Sequence, residues 1–317
     1  MKRMIFLRGI SAVLILGLSF LGMSVALQAA EADTEASTPA SAKVSAGISV
    51  VDYAGRKVAL KAPAARIVAL APHIVENLFA ADAGSRVVGV VDYCDYPEQA
   101  KKIPKVGAIS THSLEAIIAL KPDLVVVWGS LGGAKILPKL EALGLTAYVS
   151  DPHTLPDVAR SIRDYGLLAG TLAQAEQAAS AYEQQLRTLT VDYQQKKPVS
   201  VLYQVWYQPL QTLNDKHIIS DVIRLCGGRN AFGDAPTLAP KISIESVIAR
   251  NPDAIIASGM GEARPDWLDN WLAWSSLTAV KNKHLFFVPP DLIQRHTPRI
   301  LQGAQLMCDQ LEQVRLE

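Results

Sequence analysis

Cysteine is scarce in this chain: of 317 residues only Cys94, Cys226 and Cys308 are cysteine, and none precedes Cys94. No lipid-attachment cysteine is therefore available near the N-terminus. Net charge is scarce too, at +1 for 31 basic and 30 acidic residues. A near-neutral chain lacks the basic footprint that nucleic acid or an anionic membrane selects. The six histidines (His73, His112, His153, His217, His284 and His296) are scattered, with no His-rich loop and no close ligand pair, which disfavours a receptor for bare zinc or manganese. There is also no Gly-x-Ser-x-Gly turn, no His-Glu-x-x-His, no P-loop and no Gly-x-Gly-x-x-Gly, so the familiar enzyme sites are missing. The expectation is a protein that is not an enzyme and carries no cofactor or resident metal.

What is present is a repeat. SLEAIIALKPDLVVVWG begins at Ser113 and SIESVIARNPDAIIASG at Ser243, 130 residues later. Aligned without a gap, Ser113, Glu115, Ile118, Ala119, Pro122, Asp123 and Gly129 meet Ser243, Glu245, Ile248, Ala249, Pro252, Asp253 and Gly259. That period is too long for a solenoid or propeller and suits two similar lobes with a cleft between them. Each copy reads as a helix followed by a strand: serine at the N-cap, a glutamate in the positive end of the helix dipole, Pro-Asp ending the helix, then an apolar run without polar alternation. Such runs belong to parallel strands covered on both faces. From the pattern alone, Glu115 and Glu245 divide evenly between helix-dipole stabilisation and a functional role.

The first residues read as an export signal. Lys2, Arg3 and Arg8 precede an apolar run over residues 10 to 27, and Ala30-Glu31-Ala32 offers a small-x-small cleavage site. Loss of residues 1 to 32 removes those three cations and Glu31, taking the formal charge from +1 to −1. The mature protein is then soluble, monomeric, not membrane-embedded and placed in the periplasm. Residues 33 to 47 are small and polar and read as a disordered leader. In an oxidising compartment two of the cysteines pair, and Cys226 with Cys308 is the preferred pair, both in the second half, one before Gly227-Gly228 and one in the last helix.

Beyond the leader the pattern is α/β: a hairpin over 48 to 60, then strands and helices in alternation, with Rossmann-like lobes predicted over 48 to 168 and 198 to 317. Between them, over 169 to 197, lies a connecting segment built on one long helix, Ala175, Ala179, Tyr182, Leu186, Leu189 and Tyr193 recurring at steps of four and three. A single rigid helical crossover restricts the lobes to small movements.

RIVALAPH after the hairpin, VVGVVDYCDYP, the first repeat block, the long helix, LCGG and the closing PPDLIQRHTPRI together resemble the substrate-binding proteins with a helical backbone that serve ABC importers of cobalamin, ferric siderophores and haem. Within that group the cobalamin binders are the most similar, over essentially everything from residue 48 onward. The resemblance implies two lobes with mostly parallel sheets, a corrinoid carried as the transported ligand, and an ABC permease dimer as partner. It matches Tyr93, Trp128, Asp291 and Arg295 to ligand contacts, Cys226 and Cys308 to a disulfide, and Glu115 and Glu245 to lobe-tip glutamates that dock onto permease arginines. Two cleft tryptophans of the family align with about Ile109 and Ala239 here, while Trp206 and Tyr207 stand where small or aliphatic residues are usual.

A corrinoid is broad and fringed with neutral amides, so its pocket needs aromatic faces and a few donors and acceptors. Tyr93, Trp128, Trp206 and Tyr207 supply the first; Asp291 and Arg295 the second. Trp206 and Tyr207 divide evenly between cleft and core. His73 and His296 are candidate cleft residues, as polar contacts or as groups approaching a metal centre in the ligand, and Cys94 reads as a buried free thiol. Trp267, Trp271 and Trp274, four and three apart, read as one core-facing helical stripe. Haem and anionic siderophores call for several cations, so a single cleft arginine favours the neutral ligand; a haem or ferric-siderophore binder is the rival of the same family, and an exported enzyme the rival from another class.

Overall fold

A computed structural model of the chain describes residues 47–261 and 263–316. The expected signal segment (1 to 32) and all but the last residue of the leader lie outside the described residues. The chain opens with a hairpin, β1 (Ile48–Val51) and β2 (Lys57–Leu60). It continues through β3 (Ile67–Ala69), α1 (Pro72–Ala80), β4 (Val87–Val90), β5 (Gly107–Ala108), β6 (Thr111–His112) and α2 (Leu114–Ala119). Then come β7 (Leu124–Trp128), α3 (Ala134–Ala142), β8 (Ala147–Ser150), α4 (Leu155–Ala169) and α5 (Leu172–Tyr193). The second half runs β9 (Val199–Gln204), β10 (Trp206–Tyr207), β11 (Leu210–Gln211), α6 (Ile218–Leu225), β12 (Gly228–Asn230) and α7 (Ile244–Arg250). It closes with β13 (Ala254–Ala257), α8 (Thr278–Lys281), β14 (Leu285–Phe287), α9 (Pro290–Ile293) and α10 (Ile300–Leu316).

Two four-stranded parallel sheets carry the lobes, ordered β4-β3-β7-β8 and β12-β9-β13-β14. Counting strands within each sheet in chain order, the first lies between the second and the third in both, so the duplication seen in the repeat extends to topology. The repeated residues do the same work twice. Ser113 Oγ accepts from Ala116 N at 3.1 Å and Ser243 Oγ from Ser246 N at 3.2 Å, capping α2 and α7. Asp123 then accepts from the backbone N–H groups of Ala65 and Arg66, at 2.9 Å each, just before β3; Asp253 accepts from Ser200 N at 2.8 Å in β9. The Pro-Asp that ends each helix therefore also pins the start of the strand next to the one it leads into.

Strand burial explains the apolar runs. Leu124 to Val127 and Ala254 to Ala257 are buried throughout, as expected of strands covered on both faces. In the second sheet alternate residues serve two layers: Val201, Tyr203, Ala254 and Ile256 join the large core that continues through both lobes. Leu202, Ile255 and Ala257 join a smaller one with Leu268, Trp271 and Leu277. The large core passes through α4, α5, α6 and α10 without a break.

The linking helix α5 has 22 residues, about 33 Å at 1.5 Å per residue. Ala175, Ala179, Tyr182 and Leu189 are its buried face, and Tyr182 Oη donates to Leu155 O at 2.9 Å at the start of α4. Gly166 lets α4 and α5 approach closely, since a Cβ there would stand 2.2 Å from that of Ala175. On the far side the disulfide Cys226–Cys308, Sγ–Sγ 2.05 Å, ties the end of α6 to α10. Among the described residues no helix is long and apolar enough to cross a membrane.

Candidate functional site

In an open parallel sheet ligands sit beyond the C-terminal strand ends, where chain connections leave in opposite directions. Here those points lie between β3 and β7 and between β9 and β13. Pro72 and His73 begin α1 directly after β3, Trp128 closes β7, and Gly259 and Met260 follow β13. These residues face one another across a cavity of about 460 Å³. The first lobe adds Tyr93 and Ile109 to its wall; the second adds Pro290, Asp291, Gln294 and Arg295.

Of the residues picked from sequence, Tyr93, Trp128, Asp291, Arg295 and His73 line this cleft. Tyr93 has φ 63°, a left-handed backbone that costs a non-glycine residue about 1–2 kcal/mol, and its side chain is 77% exposed. Its ring is thus an exposed part of the cavity wall. His296 lies beneath the lining, buried, with its ring 5.6 Å from His73 and 6.2 Å from Trp128. Trp206 and Tyr207 are on the β10–β11 hairpin, and Tyr207 borders a separate, neighbouring cavity. Trp271 is core, and Trp267 and Trp274, half-buried, pack against the same core cluster as the stripe predicts, while all three also border that second cavity. Cys94 is buried and unpaired, and burial pushes its thiol up to about 12, so it stays protonated. No group of three or more His, Cys, Asp or Glu among the described residues is arranged to hold a metal ion.

Sequence reasoning missed the ion network behind the cleft. Arg295 donates to Glu76 Oε1 at 2.8 Å and Asp95 Oδ1 at 2.7 Å, and its other terminal nitrogen lies 2.9 Å from Asp291 Oδ1. Arg299 binds Glu76 through two nitrogens at 2.9 and 2.7 Å and lies 4.0 Å over the Tyr96 ring. Asn77 Nδ2 donates to His296 O at 2.9 Å. All of these contacts except Arg295–Asp291 run from the first lobe to the segment leading into α10. Burial disfavours the Arg295 charge, yet the bonds to Asp95 and Glu76 raise its pKa above the usual arginine range. Asp95, though partly desolvated, is held below the usual carboxylate range by the same guanidinium. The available signal was the Glu76-Asn77 pair inside the otherwise apolar PHIVENLFA: polar residues on a buried helix must find partners. Met260 and Gln294 were also missed; Gln294 Nε2 bonds Ser258 O at 2.9 Å and thereby holds the end of β13.

The second missed feature is a histidine cluster below the cleft floor. His73 packs edge-on to Trp128 at 4.9 Å, His296 lies 5.6 Å from both His73 and His217, and His217 Nδ1 accepts from Ile219 N at the start of α6. Neither His73 Nε2, His296 Nδ1 nor Trp128 Nε1 has a hydrogen-bond partner. Burial, reinforced by Arg295, lowers the His73 pKa to about 3. Burial also lowers His217, with nearby His153, to about 4, and takes His296 well below its usual value, with His73, His217 and His153 adding repulsion. At neutral pH the cleft floor is thus uncharged.

Residues 67–292 match the family described as periplasmic binding protein. The chain belongs to that family. Among relatives of this periplasmic binding protein, the vitamin B12-binding protein of Vibrio cholerae is 35% identical over 251 residues, 79% of this chain and 90% of that protein. That of Yersinia pestis is 33% identical over 251 residues, 79% and 88% of the two chains. The crystal structure of the periplasmic vitamin B12 binding protein BtuF of Vibrio cholerae superposes with TM-score 0.74 at 34% identity, covering 80% of this chain and 99% of that one. The periplasmic heme-binding protein RhuT from Roseiflexus gives 0.69 at 25%, over 78% and 98%.

Acid should weaken this periplasmic binding protein through the histidines. Their folded pKa values are depressed, so the unfolded chain binds more protons below its ordinary histidine pKa; the stability is fully present above about pH 6.5 and is lost as pH falls toward 3–4. Each buried imidazole removes about 1.4 kcal/mol per pH unit across that window. Thermal unfolding followed from pH 7 to 4.5 should show a steep fall in Tm for the wild type and a shallower one for His73→Gln with His296→Gln. An unchanged slope in the double variant would assign the acid sensitivity elsewhere.

Proposed function

We propose that this periplasmic binding protein captures cobalamin, or a related neutral corrinoid, and delivers it to an ABC permease. The observation that carries the reading is the state of Arg295. Among the described residues it is the cleft lining's one Lys or Arg, and it is already bonded to Glu76, Asp95 and Asp291. An anionic ligand would have to break that set or meet its surplus carboxylate. A neutral ligand rimmed with amides needs only the lone pairs and N–H groups left on Asp291, Gln294 and the backbone, with Trp128, Tyr93, Ile109 and Met260 as apolar walls. The relatives at 33–35% identity named vitamin B12-binding proteins support the same ligand. Haem binding, known for a structural neighbour, would call for uncommitted cations. Export follows from the N-terminal signal over 1 to 32 and leader over 33 to 47, leaving lobes at 48–168 and 198–317 with the connecting segment 169–197; the protein acts as a monomer and performs no catalysis.

Glu115 and Glu245 are the docking residues in this reading. Both are exposed in the first turn of duplicated helices, one per lobe, so two arginine sites of a two-fold permease could be engaged at once.

Titration calorimetry of the chain without residues 1 to 32 against cyanocobalamin, haem and a ferric siderophore tests the ligand. Stoichiometric binding of unaltered cyanocobalamin is expected, and Trp128→Ala should weaken it by about 1–3 kcal/mol. Haem binding without corrinoid binding would refute the assignment, and turnover of the ligand would refute a receptor.

For docking, Glu115→Ala with Glu245→Ala should abolish permease association and uptake while ligand affinity stays at the wild-type level. Helix-dipole stabilisers would cost only about 0.3–1 kcal/mol each. Normal uptake by a slightly destabilised double variant would therefore overturn the docking role.

A further inference from the structure

Beside the main cleft the second lobe has another cavity, of about 160 Å³, between the β10–β11 hairpin and the 3-10 turn at Asp266–Ala273. Tyr207, Leu210, Trp267, Trp271 and Trp274 form its apolar walls together with Ile244. Tyr207 stacks on Trp267 at 5.7 Å and 12°, and Trp271 Nε1 donates to Gln204 Oε1 at 2.7 Å, which fixes one indole. The rest of the lining is Gln204, Gln208 and Asn270, with no charged residue among the described ones. Gln204 is the last residue of β9 and Ile244 the first of α7, so the cavity lies at the C-terminal edge of the second sheet, the edge that also carries the cleft. Gly259 joins the two: it lines the cleft, and a Cβ placed on it would meet the Trp267 ring at 3.7 Å.

The two copies of the repeat part company here. Leu114, the first residue of α2, is half-buried against the core of the first lobe. Ile244, its counterpart in α7, is 36% exposed and borders the cavity. In the first lobe residues 129 to 133 separate β7 from α3, whereas in the second residues 258 to 277 separate β13 from α8 and carry the three tryptophans of the wall. The duplicated frame does not require that longer connection. Glu245 follows Ile244 directly; it is exposed, and its own backbone N–H and the Ser243 side chain hold its carboxyl below the usual range. An anion therefore stands next to an uncharged aromatic cavity, and aromatic pockets with a polar rim are where protein partners gain most of their affinity. A cavity of about 150 Å³ takes a benzene-sized group, so one apolar side chain fits and a second corrinoid or haem does not.

We infer that this cavity is a socket for the permease, taking one aliphatic or aromatic side chain that the permease's periplasmic surface carries beside the arginine paired with Glu245. The inference deepens the docking reading and rests on it for the partner. Burying a guanidinium in a lining without a carboxylate is costly, so the cation stays at Glu245 and its apolar neighbour enters. A two-fold permease offers the same pair of side chains at both ends, yet the first lobe presents Glu115 beside a Leu114 that is already packed on its own core. The two ends are then unequal: the first lobe contributes a salt bridge, the second a salt bridge with an apolar anchor.

The test uses Trp274→Ala and Ile244→Ala, both outside the main cleft, in the chain without residues 1 to 32, with the ABC permease of the same importer held in lipid nanodiscs. Trp274→Ala should weaken permease association about 10-fold and Ile244→Ala about 3-fold, while cyanocobalamin affinity stays at the wild-type level. Salt screens exposed ion pairs and leaves apolar contacts in place, so the part of wild-type association that survives about 0.5 M salt should be missing in Trp274→Ala. If both variants dock like the wild type while Glu115→Ala with Glu245→Ala does not dock, the socket falls and the docking reading stands. If both variants weaken docking and the glutamate pair does not, the socket stands and the glutamates lose their role. If Trp274→Ala weakens cyanocobalamin binding as much as permease association, the cavity belongs to the ligand cleft and the inference is overturned. Should Trp274→Ala fail to fold, Ile244→Ala, which trims an exposed side chain, decides alone.

Discussion

Arg295 and Glu76 set the terms for the rest of the structure. Glu76 is 2% exposed, and a carboxylate so buried persists only when paired and hydrogen-bonded; here two guanidiniums share it. Removing one partner from such a pair costs about 3–5 kcal/mol, because the other charge is left buried and alone. The pair also crosses between lobes, fastening α1 to the segment that starts α10. Together with one linking helix and a core that runs through both lobes, it restrains their relative motion. The lobes are built for small adjustments around a ligand rather than wide closure.

In the proposed reading the same ion network favours a neutral ligand. Haem propionates and anionic siderophores favour a cleft with uncommitted cations, and among the described residues this cleft's one arginine is bonded to protein carboxylates. Below it the depressed histidines add no charge at neutral pH. What remains is shape, aromatic surface and a few amides, the recognition set of a large neutral molecule. Duplication supplies the frame: two sheets of identical strand order put two switch points opposite each other, and the repeated Asp123 and Asp253 fix the strand starts behind them.

Much of this was legible in the sequence. The repeated serine, Pro-Asp and apolar run announced a helix and a doubly covered strand in each lobe, and spacing of four and three announced α5. The cysteine pair followed from compartment and position. Tyr93, Trp128, Asp291 and Arg295 came from the resemblance to the cobalamin binders, and Trp128 alone also had a positional argument, at the end of the repeated strand. Glu76 and Asn77 escaped because periodicity weighs apolar positions and passes over a buried polar pair whose partners lie some 220 residues away. Met260 and Gln294 carry no pattern of their own and join the cleft only through β13 and α9. For Trp267, Trp271 and Trp274 the spacing indicated a common core-facing side, but spacing does not record that this side also borders a cavity. The histidine cluster likewise assembles residues from three distant segments, which no local motif records.

A crystal structure of the protein with cyanocobalamin tests this account most directly. It should show the corrin between the Trp128 and Asp291 walls of the cleft, with Arg295 still bonded to Glu76 and Asp95 and the lobes moved little relative to one another. A ligand bound elsewhere, or bound in the cleft with Arg295 released from both carboxylates, would contradict it.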